Sequence, residues 1–257
     1  MAYKKKHYKY NDNLSTEENV LLDRLFSMRL SHMAEELERQ FLDPNLELED
    51  FHTRISSVIN YEWDQREMKK INKLKTKATL KYPDADFDQA LYEPDRMLDT
   101  HTIELLQKCD WSDGQKNLLI TGGAGAGKTH VANALCVAAI NRLRSVKYIR
   151  ANRLLQESEK ARDEGNALDY TNEMAAYDLL VIDDFGLMDL NIDKCLALFE
   201  IVETRDSRKP TVIISQLPVI KWYDLFGDNT YADACLSRMT HKAYRLEFNG
   251  RDMRKSS

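Results

Sequence analysis

Gly122-Gly123-Ala124-Gly125-Ala126-Gly127-Lys128-Thr129 is the stretch on which the reading of this 257-residue chain turns. It meets the spacing GxxxxGK[ST] in full, and its flanks suit the chemistry. The strand-like NLLIT (117–121) leads into it, and a helix expected over Thr129–Leu143 leads out. Glycines allow successive backbone N–H groups to turn inward around an anionic phosphate, and the following helix adds the positive end of its dipole. Lys128 is then spaced to reach β- and γ-phosphates, and Thr129 to offer its hydroxyl to Mg²⁺. All eight residues are candidates for nucleotide binding.

A phosphate loop of this kind needs an acid on a neighbouring strand. Leu179-Leu180-Val181-Ile182-Asp183-Asp184 is an apolar run ending in two carboxylates. Asp183 is the candidate for the Mg²⁺ shell and Asp184 for orienting or deprotonating the attacking water. The plainer alternative is that the pair closes a turn or caps a helix. A Glu is commoner at the second position, and Asp184 is one methylene shorter. The apolar PTVIISQL (210–217) ends in Ser215-Gln216, and Gln216 is the candidate polar residue near the γ-phosphate. Asn is commoner there, and the alternative is an exposed Gln behind a capping Ser.

Together with SVKYIRA (145–151) and YRLEF (244–248), these runs predict an α/β domain of the P-loop NTPase class over 115–257, with a mostly parallel five-stranded sheet. Near-continuous apolar strands separated by helix-length segments are what a sheet covered on both faces requires. N-terminal to it, 14–82 reads as a small all-α module. Ser15 and Glu18 form a capping-box pattern. Leu22, Leu25, Phe26, Met33, Leu37 and Phe41 predict one helix as far as Asp43-Pro44. A second helix is predicted from about Leu48 into the seventies, with Phe51, Ile55, Val58, Ile59, Ile71 and Leu74 on its apolar side. Residues 1–13 read as a flexible basic arm and 83–114 as an acidic connector, broken by Pro83 and Pro94.

The net charge of −5 is unevenly spread. Residues 1–82 hold 15 basic and 14 acidic side chains, 83–114 hold 2 and 9, and 115–257 hold 20 and 19. The acidic excess therefore belongs to the connector and does not count against a polyanionic partner. Arg66, Lys69, Lys70, Lys73 and Lys77 share one face at helical spacing, with Lys75 and Lys81 nearby. A second run, Arg142, Arg144, Lys147, Arg150 and Arg153, contains no acid. Both are candidate DNA-facing surfaces, each cation able to neutralise a phosphate, and neither encodes base readout. The bland alternative is a solvated helix face. Cys109, Cys136, Cys195 and Cys235 form no CxxC, which favours reduced thiols over zinc or disulfides. No apolar run is long enough for a membrane span, and no apolar segment follows the basic N-terminus, so a cytoplasmic protein is expected.

Taken in order, LFSMRLSHMAEELERQ (25–40), INYEWDQREMKKINKLKTKA (59–78), CDW (109–111), GAGKTHVANAL (125–135), LLVIDDFG (179–186), SQLPVIKWYDLF (215–226) and ADACLSRMTHKAYRLEFNGRDMRK (232–255) resemble the IstB/DnaC group of AAA+ ATPases. That group comprises transposition helpers and replicative helicase loaders, and the resemblance covers nearly the whole chain after about residue 20. It implies an AAA+ fold of the ASCE type and an ATPase working with ATP and Mg²⁺. It also implies that Arg238, in LSRM, lies where the family's arginine finger does. Here Ser237 stands in place of the Asp that precedes that Arg. An arginine finger acts in trans on a neighbour's γ-phosphate, so self-association is implied; the alternative is a solvated helical Arg. Arg254 falls near a terminal family arginine that senses nucleotide. His130 fits the family's GKTH, with packing beside the loop as its expected role.

The leading expectation is a DNA-associated, DNA-stimulated ATPase that helps a transposase select or remodel target DNA, binding it largely without regard to sequence. A DnaC-like helicase loader with a replicative helicase as client is the alternative. A small-molecule kinase would leave the acid pair, Gln216 and Arg238 without a role. A scaffold that binds ATP without turning it over would accommodate the departures at Gln216 and Ser237.

Overall fold

The computed structural model describes residues 8–87, 104, 106, 108–109, 116–227 and 230–248. Lys4–Lys6 of the arm, most of the connector, Asp110-Trp111 and Arg254 lie outside them. The chain divides into two compact units, Met1–Asn72 and Lys73–Ser257.

In the first unit, helix α1 spans Thr16–Ser27, α2 spans Ser31–Leu42, and α3, Phe51–Ala78, begins here and runs past the division. The reciprocal Ser15–Glu18 capping box is formed at the start of α1. The single helix expected as far as Asp43 is instead two. Arg29 adopts φ +63° and the N–H groups of Arg29 and Leu30 turn back to the carbonyls of Phe26 and Leu25. This is the geometry that ends a helix, normally with glycine. Residues 8–13, expected as an unpacked arm, are tied to α1. The Tyr8 hydroxyl and the Asn11 N–H both donate to Asn19 Oδ1, at 3.1 and 2.9 Å, and the Tyr8 ring lies 5.4 Å from that of Phe26.

The apolar core of this unit is small, with Leu22, Ala34 and Val58 its buried members. Phe51, Ile55 and Ile59, placed on the apolar side by spacing, are 79%, 36% and 50% exposed. Buried acids contribute the rest of the packing. Glu62 of α3 accepts from the His32 and Met33 N–H groups at the start of α2, at 2.9 and 3.0 Å, satisfying donors that a helix start leaves open. Glu36 accepts from Arg39 and from the Ser57 hydroxyl across the α2–α3 contact.

The second unit carries a five-stranded sheet in the order β2-β3-β4-β1-β5, formed by β1 Leu118–Gly122, β2 Val146–Arg150, β3 Leu179–Phe185, β4 Thr211–Ser215 and β5 Tyr244–Phe248. Every pairing is parallel. The connecting helices are α4 Lys128–Asn141, α5 Ala151–Asp163, α6 Ala167–Ala176, α7 Ile192–Arg205, the short α8 Trp222–Phe226 and α9 Tyr231–Thr240. Strand side chains alternate between faces. Leu119, Ile149, Leu180, Ile182 and Ile213 join α5 to α9 in one apolar cluster, while α4 packs across β1 to β4 on the opposite face. All four cysteines are buried thiols outside any disulfide. Among the described residues no helix is long and apolar enough to cross a membrane.

Arg205 at the end of α7 is 1% exposed. Its guanidinium donates to the carbonyls of Met174, Tyr177 and Pro210 and to the Thr211 hydroxyl, at 2.6–3.0 Å, so one side chain ties the end of α6 to the start of β4.

Candidate nucleotide-binding site

The C-terminal ends of β1, β3 and β4 open onto one cleft of about 400 Å³. It is lined by Ala124–His130 from the loop and α4, by Asp183 and Asp184 from β3, and by Ser215 and Gln216 from β4. Open parallel sheets bind ligands at this edge because the loops and helix N-termini gather there.

Two glycines are needed for steric reasons. Gly122 has φ +142° and pairs with Phe248 of β5, where an added Cβ would fall 2.3 Å from the Phe248 carbonyl oxygen. Gly127 caps α4 at φ +90° and brings no capping side chain, so the first-turn N–H groups of α4 are left for another acceptor. Lys128 is 7% exposed and its ammonium donates to the carbonyls of Gly122 and Gly123, at 2.7 and 2.6 Å. The cation is thus held across the mouth of the loop. The Thr129 hydroxyl lies 3.4 Å from Asp183 Oδ2.

The two acids owe their placement to a β-bulge. Ile182 pairs with Ile213 and Phe185 with Ser215, so Asp183 and Asp184 together stand opposite Ile214. A bulge bends the strand and re-aims a side chain. Asp184 takes the left-handed conformation, φ +56°, which Asp tolerates better than most residues. Its carboxylate pairs with Arg150, the last residue of β2, at 3.4 Å. Asp183, 6% exposed, receives the Tyr148 hydroxyl and the Thr129 hydroxyl on Oδ2 and the Asp184 N–H on Oδ1 at 2.7 Å. Burial, reinforced by the Asp183 carboxylate, holds the Tyr148 phenol protonated well above its ordinary range. A hydroxyl and a buried carboxylate whose donors are neutral form a hard-oxygen pair that suits Mg²⁺. Gln216 is exposed in the cleft just beyond Ser215, whose hydroxyl donates to the Phe185 carbonyl at 2.6 Å.

Arg238 lies away from this cleft. Its guanidinium pairs with Glu203 and sits 5.1 Å over the Phe199 ring, both on α7. The Asn117 side chain, just before β1, donates to the carbonyls of Arg238 and Met239 at 2.9 and 3.2 Å. Arg238 therefore belongs to the edge where strands begin and the cleft to the edge where they end. His130 stacks obliquely beside Tyr82, the ring centroids 5.9 Å apart.

Spacing does not reveal Tyr148, Asn133 or Tyr82 at this site, and it assigns Arg150 and Lys81 to the basic runs. Lys81 and Tyr82 line the cleft from the segment after α3, outside the sheet. The cations of the 141–153 run, Arg150 among them, do not share a face. Arg142 and Arg144 precede β2, Lys147 lies over the Tyr177 ring, Arg150 pairs with Asp184, and Arg153 pairs with Glu157. Of the first run, Arg66 donates to Glu62 and to the Arg29 carbonyl, and the Lys69 ammonium lies 2.6 Å from His32 Nε2.

Comparison with known proteins places this geometry. The family described as "IstB-like ATP binding protein" matches residues 23–257. The insertion sequence ATP-binding protein y4pL of Sinorhizobium fredii (strain NBRC 101917 / NGR234) is 34% identical over 235 residues, 91% of this chain and 96% of that protein. The IS1162 ATP-binding protein of Pseudomonas fluorescens is 33% identical over 197 residues, 77% and 85% of the two chains. Among solved structures, the DnaC helicase loader aligns with a TM-score of 0.53 at 19% identity, over 65% of this chain and 98% of that one. AMPPCP-bound DnaA from Aquifex aeolicus aligns with a TM-score of 0.54 at 21% identity, over 65% and 50%. The structural likeness is one of fold, the AAA+ type of P-loop NTPase. With a phosphate loop, an acid-tipped third strand and a family match over nearly its whole length, the chain belongs to the IstB-like ATP-binding protein family.

Proposed function

We propose that this chain is a cytoplasmic, DNA-associated ATPase of the IstB type that hydrolyses ATP to ADP and phosphate while assisting a transposase at its target DNA. The observation that carries the reading is the meeting of Lys128, Thr129, Asp183, Asp184 and Gln216 in one cleft. Lys128 and the open N–H groups of α4 hold the β- and γ-phosphates, with the rest of Gly122–Gly127 shaping the loop. Thr129 and Asp183 hold Mg²⁺, which supplies charge neutralisation at the phosphate oxygens when bound. Asp184 orients the attacking water and accepts its proton, and Gln216 reaches the γ-phosphate end. Arg238 acts in trans. Finger and cleft on opposite sheet edges suit a head-to-tail assembly, in which each subunit presents a different surface to each neighbour.

The client is argued from the relatives, which are named for insertion sequences and align over most of this chain. The helicase-loader alternative is supported by likeness of fold alone. DNA contact is expected to be sequence-independent and to use the exposed cations of α3, Lys70, Lys73 and Lys77. The proposed division of labour is an N-terminal arm over 1–13, whose residues 8–13 pack on α1, a helical module over 14–82, a connector over 83–114 and an ATPase domain over 115–257.

The test is Asp184→Asn against Lys128→Ala. The first binds ATP with wild-type affinity and releases no phosphate, and the second binds no ATP at concentrations that saturate the wild type. ATP retained by Lys128→Ala removes the loop assignment, and turnover retained by Asp184→Asn removes the water-orienting role. Co-precipitation with purified transposase but not with purified replicative helicase decides the client.

A further inference from the structure

A buried polar network under the phosphate loop has no role in the hydrolytic reading. Tyr148 in the middle of β2 is 8% exposed, and Asn133, one turn into α4, is fully buried. Tyr148 pairs in register with Val181, so Asp183, two residues on, is its diagonal neighbour on the same face of the sheet. An aromatic side chain spans that diagonal, and the Tyr148 hydroxyl donates to Asp183 Oδ2. Asn133 approaches from α4 and meets Thr129, the partner of Asp183 in the cleft. Its Nδ2 donates to the Thr129 carbonyl at 2.6 Å, and Oδ1 accepts from the Tyr82 N–H at 3.0 Å. The two residues proposed to hold Mg²⁺ are therefore each held from below, Asp183 by Tyr148 and Thr129 by Asn133.

The chemistry of the brace matters. A buried carboxylate must be hydrogen-bonded to stay ionised. Lys or Arg in place of Tyr148 would do this and also neutralise the charge, leaving little attraction for a divalent cation. A phenol hydrogen-bonds the carboxylate while adding no charge, and its two-torsion side chain is already packed where it stands in β2. We infer that Tyr148 is a positioning residue for the metal: its hydroxyl fixes the Asp183 carboxylate beside the Thr129 hydroxyl without setting a competing cation against it. This rests on the reading of Asp183 as a metal-holding residue.

Tyr148→Phe removes one oxygen from the network and leaves the ring. The experiment follows binding of a fluorescent ATP analogue to the full chain, once in EDTA and once as Mg²⁺ is titrated in. Removal of a residue that orients a metal ligand typically weakens metal affinity by about 10–100-fold. The Mg²⁺ concentration at half-effect is expected to rise about tenfold or more in Tyr148→Phe, while affinity in EDTA stays within about twofold of wild type. Asn133→Ala, which keeps the Tyr148 hydroxyl but removes the donor to the Thr129 carbonyl, shifts the midpoint in the same direction. Two Mg²⁺ curves that overlay the wild type, with Asp183→Asn having lost its Mg²⁺ response, overturn the role of Tyr148 and leave Asp183 in place. An unaltered Mg²⁺ response in Asp183→Asn removes the metal reading itself, and the inference with it.

Discussion

The guanidinium of Arg150 and the carboxylate of Asp184 face each other at 3.4 Å across the ends of β2 and β3. Both side chains are substantially exposed, so the pair is worth about 1 kcal/mol at most. If Asp184 orients water, that pairing competes with its task. Arg150→Ala should raise basal phosphate release by up to about fivefold, from the barrier change such a pair allows. The change should shrink as salt screens the wild-type pair. A fall in turnover would mean that Arg150 acts on the bound phosphates instead.

Subunit mixing tests the placement of Arg238. Lys128→Ala has an intact finger and an empty loop, and Arg238→Ala has an intact cleft and no finger. Each alone should be inactive. An equal mixture should recover activity, since under random head-to-tail contact roughly a quarter of the interfaces join an intact cleft to an intact finger. A mixture as inactive as its components would assign Arg238 to its own subunit, where its partner is Glu203.

Arg205 is a prediction about stability. Burial pushes its guanidinium down to about 10, yet its donors reach three carbonyls and a hydroxyl. Arg205→Met takes the guanidinium donor from buried acceptors, at a cost of about 1–3 kcal/mol for a group left unpaired. Thermal unfolding of the purified variant should show a clearly lower midpoint. Arg205→Lys should recover only part of the loss, because an ammonium cannot reproduce the fork.

The helical unit should be the acid-sensitive part. The hydrogen bond from Arg39 holds the Glu36 carboxyl at about 2, against an ordinary 4.5. At Glu62, burial alone would raise the value, but Arg66 and the Met33 and His32 N–H groups outweigh it and lower it. A carboxylate whose value is lower in the folded chain stabilises above the unfolded value and ceases to do so as pH falls through the folded one. For Glu36 that window runs from about 4.5 down to about 2, and with solvent screening of the exposed Arg39 the stabilisation lost is about 1 kcal/mol. Amide spectra recorded over this range should lose the α2 signals before those of β1, β3 and β4. Glu36→Gln should abolish most of the difference.

What was legible in the sequence was whatever depends on neighbours along the chain. The strand runs ending at Thr121, Asp183 and Ser215 are apolar nearly throughout, and all proved to be buried parallel strands. The loop glycines, Lys128 and Thr129 could be read from spacing alone. The break at Arg29 could not, because a non-glycine residue occupies the left-handed position and no Pro or Gly marks it. Tyr148 was hidden for a different reason: its link to Asp183 depends on the β2–β3 register, which only the folded sheet sets. The bulge at Asp183-Asp184 likewise arises from pairing with β4. The cations of the 141–153 run do not form one stripe, because side chains on β2 alternate between faces and each residue advances about 3.3 Å.

The position of Arg238 beside Asn117, at the edge where β1 begins, bears on bookkeeping in any assembly. If each finger serves the next cleft, an open row of n subunits holds n − 1 completed sites, and one terminal cleft always idles. Phosphate release per subunit would then climb with row length towards a plateau, and a closed ring would reach that plateau at its smallest size. The shape of the curve against protein concentration would distinguish a growing filament from a ring without any image of either.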